Sequence, residues 1–171
     1  IDKITTASIT DANITTAKLA YQAIPFRNII INGDMSQSQR STSVSSITGT
    51  GYNSVDRIKT NLSSAGTWTQ SQSTTVPSGQ GFATSLKMDC TTADGSLSAA
   101  NYLALQHIIE GQNLQYLKKG TSSAESTTLS FWVRSNKTGT YICTLYDNDN
   151  NRNISKSYTI SSANTWEKKT L

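Results

Sequence analysis

Residues 127–171 read TTLSFWVRSNKTGTYICTLYDNDNNRNISKSYTISSANTWEKKTL. Four short runs stand out: TTLSFWVRS, YICTLYD, NISKSYTI and NTWEKKTL. Each is rich in the β-branched and aromatic residues that suit a pleated surface. Between them lie NKTG and DNDNN, whose Asn, Asp and Gly accept the tight backbone angles of turns. Short strands at regular spacing with turns between them point to a β-sandwich or barrel. Long polar connections upstream favour a jelly roll.

Working back along the chain gives the same class. FATSLKMDCTT alternates, with Phe82, Leu86 and Met88 at even spacing. VDRIKTNLSS and TWTQSQSTTV read as strands, and residues 36–54 as a polar loop. Ile29 to Ile31 reads as a short apolar strand closed by the turn pair Asn32-Gly33. In YLALQHIIEGQNLQYLKKG, Leu103, Leu105 and His107 share a strand face. The spacing of Leu114 and Leu117 then turns helical, with Gly120 as a stop. The expected fold is therefore all-β. Residues 29–171 are expected to form a jelly-roll β-sandwich with one short helix. The final strand runs to the last residue, Leu171, so the sandwich is expected to be incomplete there and the chain to be an excerpt of a longer polypeptide.

Residues 1–20 follow a different rule. Ile4, Ile9, Ile14 and Leu19 recur every five residues, and Ala7, Ala12 and Ala17 keep the same register. A helix turns every 3.6 residues and a strand alternates every two, so neither makes a stripe of this period. A backbone that bends once per repeat does, and such units need stacked neighbours. Residues 1–20 are expected to be a repeat arm for oligomerisation or docking, with Ile4, Ile9, Ile14 and Leu19 at the contact. Residues 21–28, around Pro25, are its linker to the body.

Composition removes several function classes. Ser and Thr make up 50 of 171 residues, which suits solvent-facing strand positions rather than a charged disordered chain. The net charge is +4, yet the basic residues are scattered and interleave with no aromatics, so no nucleic acid is expected as partner. No run is apolar enough to span a membrane, and no signal peptide is visible. Two cysteines, Cys90 and Cys143, and one histidine, His107, offer no zinc-type pattern. The cysteines read as small buried hydrophobes.

The segments NIIINGDMSQSQR, GYNSVDRIKT, QHIIEGQNLQYLKKGTSSAESTTLSFWVRSNKTGTY and TWEKKTL together resemble a β-sandwich module common in bacteriophage tail fibres and other virion appendages. The opening NIIINGD is also similar to carbohydrate-binding jelly rolls of the family 4 and 9 type, and the ITTAxI arm resembles repeats upstream of such modules. The resemblance implies a non-enzymatic structural protein of a phage virion, a fibre on the tail with the head as the alternative. It implies a homotrimer, contacts with other virion proteins, and attachment to host surface polysaccharide. Two other readings stay open. One is a secreted or surface carbohydrate-binding module. The other is the non-catalytic part of a fibre-borne polysaccharide depolymerase.

Individual residues sharpen these expectations. Trp132 and Trp68 are candidates for glycan or subunit contact, because an indole face can stack on a sugar ring. Asp34 is the one calcium candidate. A hard cation needs several oxygens and Asp34 supplies one, so a hydrogen bond to its own turn is the simpler reading. No other cofactor is expected. Asp56, Arg57 and Arg40 are expected to supply a buried Arg–carboxylate pair that pins the long loop to the sheet, with a sugar-binding clamp as the alternative. His107 and Trp166 read as core residues.

Overall fold

In the computed structural model, residues 28–171 are described, and the compact body runs from Asn32 to Leu171. The oligomerisation residues Ile4, Ile9, Ile14 and Leu19 lie outside the described residues. Of the unit preceding the body, residues 28–31 are described. Asn28 Oδ1 there accepts the Ile30 N–H at 3.0 Å, and Ile29 to Ile31 form no strand, contrary to expectation.

The body is all-β, with 42% of residues in strands and 5% helical. Ten strands are described: β1 (Ser43–Ile47), β2 (Gly51–Tyr52), β3 (Ile58–Ser63), β4 (Thr67–Ser73), β5 (Ser85–Thr92), β6 (Tyr102–His107), β7 (Ser130–Val133), β8 (Gly139–Asp147), β9 (Arg152–Ile160) and β10 (Glu167–Thr170). They form four antiparallel sheets, ordered β1-β4-β5, β2-β3-β6, β10-β7 and β8-β9. The helix expected after Glu110 is a 3-10 helix, Gly111–Leu117, ended by Lys118 in the left-handed region at φ 49°. No helix among the described residues is long and apolar enough to cross a membrane.

Residues 36–54, read from sequence as a loop, contain β1 and β2. The reason is a bulge. Val44 pairs with Gln70 and Ile47 with Trp68, so three steps on β1 match two on β4. Ser46, at φ 57°, absorbs the extra residue. The bulge puts Val44 and Ile47 on one face and erases the alternation that would have marked the strand.

The main core lies between the first two sheets. Along β3, Ile58, Thr60 and Leu62 are buried while Lys59, Asn61 and Ser63 are half-buried, a period of two. The fully enclosed Gln70 of β4 spans to them. Its Oε1 accepts the Ser54 N–H at 2.8 Å and the Ser54 hydroxyl at 3.1 Å, and its Nε2 donates to Thr60 Oγ1 at 2.9 Å. Asn53 Nδ2 donates to that same Thr60 oxygen at 3.1 Å. Ile47, Val55, Ile58 and Leu62 surround this network with apolar side chains. A buried polar network is tolerated only when its members are paired, and here both ends of the Gln70 amide are used.

The turn between β3 and β4 is built on Gly66. Its φ is +86°, and a Cβ there would lie 2.5 Å from the Thr92 carbonyl oxygen. Only glycine meets both conditions without strain.

The loop before β1 is held by side chains that imitate backbone pairing. Asn32 sits at φ 58°. Its Oδ1 accepts the Gln37 N–H at 2.9 Å, and its Nδ2 donates to the carbonyls of Gln37 at 3.0 Å and Asp56 at 2.8 Å. Asp56 accepts the Gln39 N–H at 3.1 Å and pairs with Arg40 at 3.2 Å, but the Arg40 side chain is 57% exposed, so the pair is not the buried one expected, and Arg57 pairs with Glu110 at 2.9 Å instead.

Candidate interaction surface

The β8–β9 hairpin follows from its sequence. DNDNN closes it: the Asp147 carboxylate accepts the Asn150 N–H at 3.3 Å, Asn150 Nδ2 at 2.8 Å and Arg152 Nη2 at 3.1 Å, with Asn151 in the left-handed region at φ 50°. These bonds hold the Asp147 carboxyl below its ordinary range, the Asn150 amide first and Arg152 after it. The register pairs Tyr141 with Tyr158, Cys143 with Lys156, Leu145 with Ile154 and Asp147 with Arg152 on one face. Ile142 with Ser157, Thr144 with Ser155 and Tyr146 with Asn153 occupy the other.

The first face begins in a second, smaller core. Ile160 is buried at its root. Phe131 of β7 meets the Tyr158 ring edge-on, 5.1 Å between centroids, and Tyr158 stacks on Tyr141 at 5.8 Å. The Tyr141 hydroxyl donates to the Lys137 carbonyl at 3.0 Å. Burial raises the Tyr158 hydroxyl above its ordinary value, helped by Cys143 and Tyr141 beside it, and burial alone raises the Cys143 thiol.

Further out, cover ends. Leu145 is 56% exposed and Ile154 60%, on the same face as that aromatic cluster. On the opposite face Ile142 is 68% exposed and Tyr146 51%. Two large apolar side chains thus stand uncovered on each side of a two-stranded ribbon. A two-stranded hairpin is at best marginally stable in water alone. The sequence signal for this surface is YICTLY, where apolar residues fall at both odd and even positions. Such a strand is written for burial on two faces, not one. The four residues were not among the candidates read from sequence.

The β7–β10 ribbon carries a charged pair beside the aromatic cluster. Glu167 and Lys169 lie on the Phe131–Val133 side, 2.6 Å apart, each side chain only 17% exposed. Glu167 Oε1 also accepts the N–H groups of Ser161 at 2.9 Å and Ser162 at 2.8 Å. The Lys169 ammonium and then these N–H groups hold its carboxyl below the ordinary range. Trp166, expected in the core, is half-buried. Its indole N–H is enclosed without an acceptor among the described residues.

The other candidates are dispersed. Trp132 is half-buried, opposite Lys168 in the register and on the face away from Phe131. Trp68 shares the inward side of β4 with Gln70, and its Nε1 donates to the Ala65 carbonyl at 2.7 Å, so it closes the β3–β4 turn. Asp34 Oδ1 accepts the Ser36 hydroxyl at 3.1 Å, a bond within its own turn. Among the described residues no three His, Cys, Asp or Glu side chains group as metal ligands. Cys90, read as buried, is exposed, because β5 is an edge strand. His107 is half-buried on the inward side of β6, opposite Ile58.

Compared with family models, curated proteins and solved structures, the chain matches none of them.

Proposed function

We propose that this chain is a structural, non-enzymatic subunit of a virion fibre, on a phage tail, that works as a homotrimer. The observation that carries the reading is the β8–β9 hairpin, whose large apolar side chains stand exposed on both faces. Such a ribbon suits a protein that completes its packing against copies of itself. The sequence resemblance to virion-appendage modules supplies the virion, the trimer and the neighbouring tail proteins. The five-residue arm of residues 1–20 is the second means of association in this reading. Attachment to host surface polysaccharide is its outward task.

Sedimentation of the chain at several concentrations tests this. The expected result is a concentration-independent trimer that Leu145→Asp with Ile154→Asp disrupts. A monomer at all concentrations overturns it and favours the free carbohydrate-binding module.

A further inference from the structure

We propose that the outward face of the β2-β3-β6 sheet binds an extended, carboxylate-bearing polysaccharide. The inference deepens the attachment role above and rests on that reading for its biological setting, but its chemistry stands on this face alone.

The face is defined by register. Thr60 is fully enclosed, so its neighbours Lys59 and Asn61 point the other way. Tyr52 pairs with Lys59, Gln106 pairs with Lys59 from the other side, and Tyr102 pairs with Ser63. Tyr52, Lys59, Asn61, Tyr102 and Gln106 therefore share one surface. The two tyrosines sit on the strands flanking β3, 41% and 48% exposed. Their register positions are four residues apart along β3, or roughly 13 Å. That is a platform for a chain of sugars rather than one ring.

The parts suit a sugar polymer. A tyrosine ring offers an apolar face to the C–H side of a pyranose and a hydroxyl at its rim. The Tyr52 ring is steadied by Arg40, whose guanidinium lies 5.7 Å from its centroid. The Asn61 amide is oriented on both sides: its Oδ1 accepts Thr50 Oγ1 at 3.0 Å and the Tyr102 hydroxyl at 3.3 Å. With the oxygen engaged, the Nδ2 hydrogens are the groups left to donate to a ligand. Gln106 adds a second amide, level with Lys59 and Tyr52 across β3.

Charge selects the polymer. Lys59 forms no ion pair among the described residues, and the side chains of this face include no carboxylate. The nearby carboxylate of Asp56 is already held by Arg40 and the Gln39 N–H. A lone ammonium beside the Tyr52 ring complements an acidic sugar.

The test is retention of the full chain on polygalacturonate, alginate and hyaluronate, with dextran as the neutral comparison. The expected result is binding to at least one acidic polymer that added salt weakens. Tyr52→Ala or Tyr102→Ala should each reduce affinity about tenfold, and Lys59→Gln should lower the preference over dextran. Retention on none of the acidic polymers, or tyrosine variants that bind like the parent, overturns the site. Equal retention on dextran, unchanged by Lys59→Gln, overturns the assignment of an acidic ligand. Sedimentation of the same variants reads the oligomer independently, so loss of glycan binding and loss of the fibre reading are separate results.

Discussion

The two halves of the body answer the same problem differently. Sheets β1-β4-β5 and β2-β3-β6 cover each other and knit the space between them with the Gln70–Thr60–Ser54 network. The β8–β9 ribbon covers itself only at its root, where Phe131, Tyr158 and Tyr141 meet, and then runs out into water with Leu145, Ile154, Ile142 and Tyr146 uncovered. Both halves obey strand periodicity. What differs is whether the partner for an apolar face lies in the same two sheets. The first half reads as the stabilising part of the molecule, and the second as the part that spends its apolar surface on association.

The strongest way to break that comparison is to attack the first half. Gln70→Ala should destabilise the chain by about 3 kcal/mol, because it strands the Ser54 N–H and the Ser54 hydroxyl and leaves a cavity. Urea unfolding measures this, and a loss under about 1 kcal/mol would mean the network relaxes and is not the joint between sheets. Next is Gly66→Ala. A left-handed backbone and a close Thr92 carbonyl both oppose a Cβ there, and a loss of about 2 kcal/mol is expected by the same measurement. An unaffected midpoint would show that the β3–β4 turn shifts freely.

The same two regions show what was legible beforehand. Strands β3 to β10 could be read because runs rich in β-branched and aromatic residues are closed by turn residues. The bulge at Ser46 hid β1: it moved Val44 and Ile47 onto one face by breaking the period that identifies a strand. Gln70 gave no signal either, since a polar residue in a Ser- and Gln-rich run looks solvent-facing until two sheets close over it. The apolar hairpin is legible in YICTLY, where apolar residues fall on both faces. Trp68 proved to be turned inward, closing a turn. The outward tyrosines Tyr52 and Tyr102 became a surface only once β2 and β6 were placed on either side of β3.

On the second half, the double variant Leu145→Asp with Ile154→Asp separates folding from association. Both side chains are more than half exposed, so the change in monomer stability should stay within about 0.5 kcal/mol. Assembly should be lost, as read by light scattering. A variant that loses its folded circular dichroism signal, rather than staying a folded monomer, would instead make the outer hairpin part of the core.

The smallest expected effect is in acid, and it sets the two ends of the hairpin apart. Glu167 beside its root and Asp147 at its tip are both held below their ordinary carboxyl values, Glu167 chiefly by Lys169 and Asp147 chiefly by Asn150. A group whose folded value is depressed stabilises the fold above its unfolded value, and that contribution fades as pH falls through the folded one. For Glu167 the window opens near 4.5, its ordinary value, and extends to more acid pH. Its carboxylate ties β10 to the chain after β9 through the Ser161 and Ser162 N–H groups, so its protonation should loosen the fold as a whole. Asp147 ties only the turn to itself, so its protonation should open the hairpin tip and leave the rest intact. Glu167→Gln should therefore flatten the acid limb of global unfolding. Asp147→Asn should change hydrogen exchange only in residues near 144–155. If Asp147→Asn flattens global unfolding as much as Glu167→Gln does, the hairpin folds as one unit with the sheets. The division between a self-sufficient half and an associating half would then be wrong.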